Sequence, residues 1–165
     1  MATRLPQRLI ICVDGTWCKA DGSGEGHDKL TNVFQIFMST KEGECYDPVS
    51  RRTFWQSRIY KRGIGAADDI VSLDRWMAGI SGAGFQDYIR ECYRRCCELL
   101  GPTDEVWLYG FSRGAYVVRA VAGLLHHITA IKKTSNENEF NKIYKKALEV
   151  YKSQMTHPEK AAKVR

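Results

Sequence analysis

Gly110-Phe111-Ser112-Arg113-Gly114 has the spacing G-x-S-x-G, in which a serine hydroxyl can be presented as a nucleophile. That chemistry needs a bend so sharp that the serine backbone is strained. It also needs a glycine two residues to either side, so that strand and helix backbones can pass closely and push the hydroxyl outward. The amide of Arg113, next in the chain, would stand at a helix N-terminus, where N–H groups and partial positive charge favour an oxyanion. Ser112 is therefore the candidate nucleophile, Gly110 and Gly114 the elbow glycines, and Arg113 one oxyanion donor. The bland alternative is a serine that fell by chance at an ordinary turn in a chain with 14 glycines.

A second oxyanion donor is expected from the loop after a neighbouring strand, and Asp14-Gly15-Thr16 qualifies through the amide of Gly15 or Thr16. A structural Asp-Gly turn, with Asp14 bonding its own backbone, fits the same residues equally well.

The elements that must position these groups can be read from the apolar pattern. Residues 8–13 (RLIICV) form a short β-branched run closed by Asp14-Gly15, a buried strand ending in a turn. Thr31-Asn32 can cap a helix with Val33, Phe34, Ile36 and Phe37 on its apolar face, stopped by Gly43. Residues 54–61 are a second strand candidate and residues 105–111 a third. Phe85 to Leu100 is apolar in steps of three and four before Gly101-Pro102, which predicts a helix. Residues 114–128 (GAYVVRAVAGLLHHI) predict a nearly all-apolar helix buried on most sides, and a final amphipathic helix follows Asn136. Residues 19–29 read as a polar, Gly-rich loop, and Leu73, Trp76 and Met77 suggest a short helix inside a long glycine-bearing connection. Alternating strands and helices indicate an α/β protein with a mainly parallel sheet. The whole of 1–165 is expected to be one domain, with its core in 8–130 and a C-terminal helix and basic tail in 134–165.

Together with Asp14-Gly15-Thr16-Trp17 (DGTW), the glycine pair of 62–65 (RGIG) and the 80–85 segment ISGAGF, the stretch LYGFSRGAYVVRAVAGLL of residues 108–125 carries a family likeness. The chain resembles an α/β-hydrolase family of uncharacterised, largely fungal and bacterial proteins related to the phospholipase effectors of type VI secretion. The likeness covers about residues 8 to 130, and GFSRGA is its most specific marker. It implies an α/β-hydrolase-like three-layer sandwich and a Ser-His-Asp esterase or phospholipase, with Ser112 as nucleophile, the DGT loop beside it and a small-molecule or lipid ester as substrate.

A serine nucleophile needs a histidine base and an acid to orient it, and in that fold both follow the serine. After Ser112 this sequence has no Asp, four glutamates (Glu137, Glu139, Glu149 and Glu159) and three histidines. His126 and His127 lie about four turns along the elbow helix, roughly 20 Å from its start, and read as core or interface residues. His157 precedes Pro158 in a polar tail with no strand to present it. The expectation is thus an incomplete hydrolase sheet with an open edge and a base outside this chain. The competing class is a fragment or pseudo-enzyme that binds partners, a second copy included, through that edge and the basic last helix.

Composition narrows the remaining possibilities. The net charge of +6 is a tail property: residues 1–131 carry 16 Lys and Arg against 15 Asp and Glu, residues 132–165 carry 9 against 4. A solvated Lys-rich helix accounts for it, and no nucleic-acid motif accompanies it. No apolar stretch approaches a membrane span and no secretory signal opens the chain, so a cytoplasmic location is expected. Cys12, Cys18, Cys45, Cys92, Cys96 and Cys97 are then read as reduced, mostly buried residues. No cofactor or metal is expected. The glycines at 63, 65, 79, 82 and 84 lack a phosphate-loop pattern, and Asp68, Asp69 and Asp74 read as solvated carboxylates.

Overall fold

The strand β1 (Gln7–Val13) is apolar at consecutive positions, which suits a strand that must be covered on both faces. It receives that cover. In the computed structural model, residues 4–15, 30–63, 83–131 and 134–156 are described. They form β1, α1 (Asn32–Ser39), β2 (Gly43–Asp47), β3 (Arg52–Lys61), α2 (Ala83–Leu99), β4 (Glu105–Gly110), α3 (Arg113–His127) and α4 (Glu137–Thr156). The strand order is β2-β3-β1-β4. Leu9, Ile11 and Val13 point to one face, packing with Ile89, Tyr93, Val117, Val121 and Tyr144 of α2, α3 and α4. Ile10 and Cys12 point to the other, against Val33, Ile36 and Phe37 of α1. Full burial of each such aliphatic side chain contributes about 1.5–3 kcal/mol. Among the described residues the result is three layers, with one short helix on one side of the sheet and three helices on the other.

The sheet is mixed, which corrects the expectation of a mainly parallel one. β1 runs parallel to β3 and β4, but β2 and β3 form an antiparallel hairpin. Its turn is held by Asp47, whose carboxylate accepts from the Val49 amide at 2.9 Å and the Ser50 hydroxyl at 2.7 Å. These bonds, Ser50 foremost, hold the Asp47 carboxyl below its ordinary value. β2 is five residues with little apolar signal, a strand only because β3 pairs with it. Gly43 therefore opens a strand and does not stop a helix; α1 ends at Ser39, where Thr40 turns extended.

Other elements lie close to where the pattern puts them. α2 closes at Leu99, where Asp104 accepts from the Gly101 amide and, with its other oxygen, from the Gln7 amide at the start of β1. α3 departs from expectation: Val117, Val118, Val121 and Leu124 are buried, but Tyr116 and Arg119 are exposed, so one flank faces solvent. α4 begins in reciprocal capping, Asn136 accepting from the Glu139 amide while Glu139 accepts from the Ser135 amide. Cys12, Cys45, Cys92, Cys96 and Cys97 are free thiols; burial pushes Cys12 and Cys92 up to about 11 and Cys96 to about 12. Among the described residues no helix is long and apolar enough to cross a membrane. The anticipated loop at 19–29, the short helix around 73–77 and Cys18 lie outside the described residues.

Candidate functional site

The three parallel strands end in register, with Val13 opposite both Lys61 and Gly110. Carboxyl ends of parallel strands are where α/β sheets place their sites, and the motif residues meet there. The ladder continues one step further: the Phe111 amide donates to the Val13 carbonyl at 3.1 Å and the Asp14 amide to the Lys61 carbonyl at 3.0 Å. Asp14-Gly15 is thereby fixed beside Phe111-Ser112.

Only Phe111 and Ser112 separate β4 from α3. Ser112 takes φ 50° and ψ −120°, a conformation that costs a non-glycine residue about 1–3 kcal/mol. It occupies the N-cap of α3, yet its side chain makes no capping hydrogen bond, and the residue is exposed. The helix start is closed by backbone: the Gly114 amide donates to the Phe111 carbonyl at 2.8 Å and the Ala115 amide to the Ser112 carbonyl at 3.0 Å.

The flanking glycines are required by contact. A Cβ at Gly114 would lie 2.2 Å from the Val13 carbonyl oxygen and 2.7 Å from that of Asp14. A Cβ at Gly110 would lie 2.6 Å from the Gly114 oxygen and 2.7 Å from the Ala115 nitrogen. These obstacles are backbone and cannot swing away. Gly15 is a third close approach, since its Cβ would lie 2.6 Å from Phe111 Cδ1 and 3.0 Å from Ser112 Cβ.

Asp14 is 1% exposed. Its Oδ1 accepts from the Gly15 amide at 3.1 Å, and its Oδ2 accepts from Thr31 Oγ1 at 2.6 Å and Tyr60 Oη at 2.7 Å. The Gly15 amide thus makes the structural Asp-Gly bond that was the competing reading. Thr16, the other candidate, lies outside the described residues. Arg113 is the first residue of α3, and burial pulls its guanidinium below the ordinary value.

The remaining sequence candidates are not brought together. His126 and His127 are exposed at the far end of α3, in ring contact with each other, His127 also with Tyr151 of α4; of the core and interface readings, the core one is corrected. His157, Asp68, Asp69, Asp74, Gly65, Gly79 and Gly82 lie outside the described residues. Among the described residues no group of His, Cys, Asp or Glu could hold a metal ion. A cleft of about 310 Å³ lined by Arg94, Cys97, Glu98 and Phe140 lies between α2 and α4, away from Ser112. Sequence reasoning missed Tyr60 as a partner of Asp14 and saw Thr31 only as a helix cap. No local signal joins residues 46 and 17 positions apart.

The strand-to-helix bend thus stands at the carboxyl ends of the three parallel strands of a mixed sheet. The chain belongs to the family described as "T6SS, Phospholipase effector Tle1-like, catalytic domain", whose model matches residues 7–165. It is similar to the uncharacterized protein YEL023C of Saccharomyces cerevisiae, 23% identical over 137 residues, covering 79% of this chain and 19% of that protein. The chain thus spans about a fifth of that relative's length. No solved structure matches it.

Proposed function

We propose that this chain is the nucleophile-bearing domain of a serine hydrolase acting on carboxylic esters, with a phospholipid or other lipid ester as the substrate class. The observation that carries the reading is Ser112 itself: φ 50° and ψ −120°, exposed, at a helix N-cap that its hydroxyl does not cap. A strained backbone persists where the surroundings enforce it, and Gly110 and Gly114 permit that enforcement. The family description, which names phospholipase effectors, supports the lipid ester.

In this mechanism Ser112 Oγ attacks the acyl carbon while its proton passes to a histidine that the described residues do not supply. The carbonyl oxygen becomes an oxyanion held by the Arg113 amide at the α3 N-terminus and by the Thr16 amide, with Gly15 providing room for the close approach. The alkoxide leaves as the alcohol, and water releases the acyl group. The fold read this way is α/β-hydrolase-like, and residues 1–165 act as one unit.

A fluorophosphonate probe tests the reading in the full chain. Phosphonylation of Ser112, lost in Ser112→Ala, is the expected result; a folded chain that takes no label overturns it.

One observation favours a second reading, a non-catalytic binding module. Among the described residues β4 ends the strand order, and Trp107 on it is 45% exposed, so a second copy could add to that edge. Concentration-dependent self-association without labelling would favour this module; a monomer at all concentrations would count against it.

A further inference from the structure

Asp14 is a buried carboxylate that the proposed chemistry does not use, and its bonds lead to the site from three directions. Oδ1 takes the Gly15 amide; Oδ2 takes the hydroxyls of Thr31 and Tyr60. Thr31 Oγ1 is doubly engaged, since it also accepts from the Phe34 amide at 3.0 Å and so caps α1. Tyr60 stands one residue from the end of β3 and packs edge-on against Phe34 of α1, ring centroids 5.0 Å apart. One carboxylate therefore joins the ends of β1 and β3 and the start of α1. Its own backbone carbonyl, together with that of Val13, forms the surface against which Gly114 packs.

We propose that Asp14 is a positioning residue, whose carboxylate locks the turn at residues 14–15 to α1 and β3 so that the turn stands rigidly against Ser112. The inference rests on the serine-hydrolase reading and extends it. The lock has two consequences. It engages the Gly15 N–H, and it sets the distance between Gly15 and the elbow, where Phe111 Cδ1 and Ser112 Cβ come within 2.6 and 3.0 Å of where a Cβ would lie. Charge-assisted bonds to a buried carboxylate are stronger than neutral ones, so one side chain can hold a turn that would otherwise move. Misplacement of a reacting group by about 1 Å is enough to slow chemistry roughly a hundredfold.

The test compares fluorophosphonate labelling of Ser112 in wild type, Asp14→Asn, Tyr60→Phe and Thr31→Val, each at a temperature where thermal unfolding shows it fully folded. Asp14→Asn keeps the shape and the Gly15 bond but replaces Oδ2, which accepts from two hydroxyls, with a donor. Its labelling rate is expected to fall roughly ten- to a hundredfold, with smaller falls in Tyr60→Phe and Thr31→Val and recovery in Thr31→Ser. Thr40→Val is the control: it removes the bond from the Thr40 hydroxyl to the Ile36 carbonyl at the far end of α1 and should label at the wild-type rate. Asp14→Asn labelling at the wild-type rate overturns the inference. A wild type that takes no label overturns the hydrolase reading instead. Amide hydrogen exchange then decides the lock: faster exchange over residues 13–15 and 110–115 in Asp14→Asn, absent in Thr40→Val, supports it, and unchanged exchange overturns it.

Discussion

Of the helices that start at this end of the molecule, α1 and α3 each have a hydroxyl residue at the N-cap, and the hydroxyls have opposite fates. At α1, Thr31 has relaxed extended backbone, φ −64° and ψ 153°, and its oxygen caps the Phe34 amide while its proton goes to Asp14. At α3, Ser112 is strained at φ 50° and ψ −120°, and its side chain caps nothing. An N-cap hydroxyl ordinarily stabilises its helix by about 1 kcal/mol. The first helix takes that stabilisation; the second forgoes it and accepts backbone strain as well. The difference separates a hydroxyl used to build the fold from one left available for chemistry.

The comparison can be broken most severely at Gly114. Gly114→Ala sets a methyl group against the Val13 and Asp14 carbonyls and should destabilise the chain by about 3 kcal/mol or more, measured by urea denaturation. Thr31→Ala removes both a cap and a bond to a buried carboxylate, a loss of about 1–2 kcal/mol that Thr31→Ser should largely restore. Ser112→Gly should act in the opposite direction, raising stability by about 1 kcal/mol as the strain is relieved, and it should abolish fluorophosphonate labelling. Ser112→Ala also loses the label but keeps the strain, so its stability should stay within about 0.5 kcal/mol of wild type. Gly15→Ala is expected to cost about 1 kcal/mol, well short of Gly114→Ala. Its nearest obstacle is the Phe111 ring, an exposed side chain that can move aside, and Ser112 Cβ at 3.0 Å need give by only a few tenths of an ångström. A loss at Gly15 as large as that at Gly114 would mean that the turn and the elbow form one rigid block.

Much of the candidate site was legible because its signals are local. G-x-S-x-G between an apolar run and an amphipathic run specifies a strand, a bend and a helix within about twenty residues, and β4, Ser112 and α3 lie where that reading puts them. The helices α2 and α4 were legible from periodicity for the same reason. β2 was not: Gly43-Glu44-Cys45-Tyr46-Asp47 has no apolar alternation strong enough to mark a strand, and only the opposing residues of β3 make it one. The exposed flank of α3 was equally hidden, because Tyr116 and Ala122 read as apolar whether or not a neighbour covers them.

Asp14-Gly15 shows the boundary between the two kinds of information. Its sequence allowed two uses of the Gly15 amide, an oxyanion donor or an internal turn bond, and no local argument could choose. The Asp14 carboxylate is shared with Thr31 and Tyr60, and that sharing exists only once β1, β3 and α1 are packed in register. Residue types, their spacing and the order of elements were determined by the sequence itself, through short-range sterics and periodicity. The mixed sheet, the close backbone contact at Gly114 and the sharing of the Asp14 carboxylate with Thr31 and Tyr60 were decided by tertiary structure. Each depends on where residues distant in the chain come to lie, and hydrogen bonds and steric exclusion act only over a few ångströms.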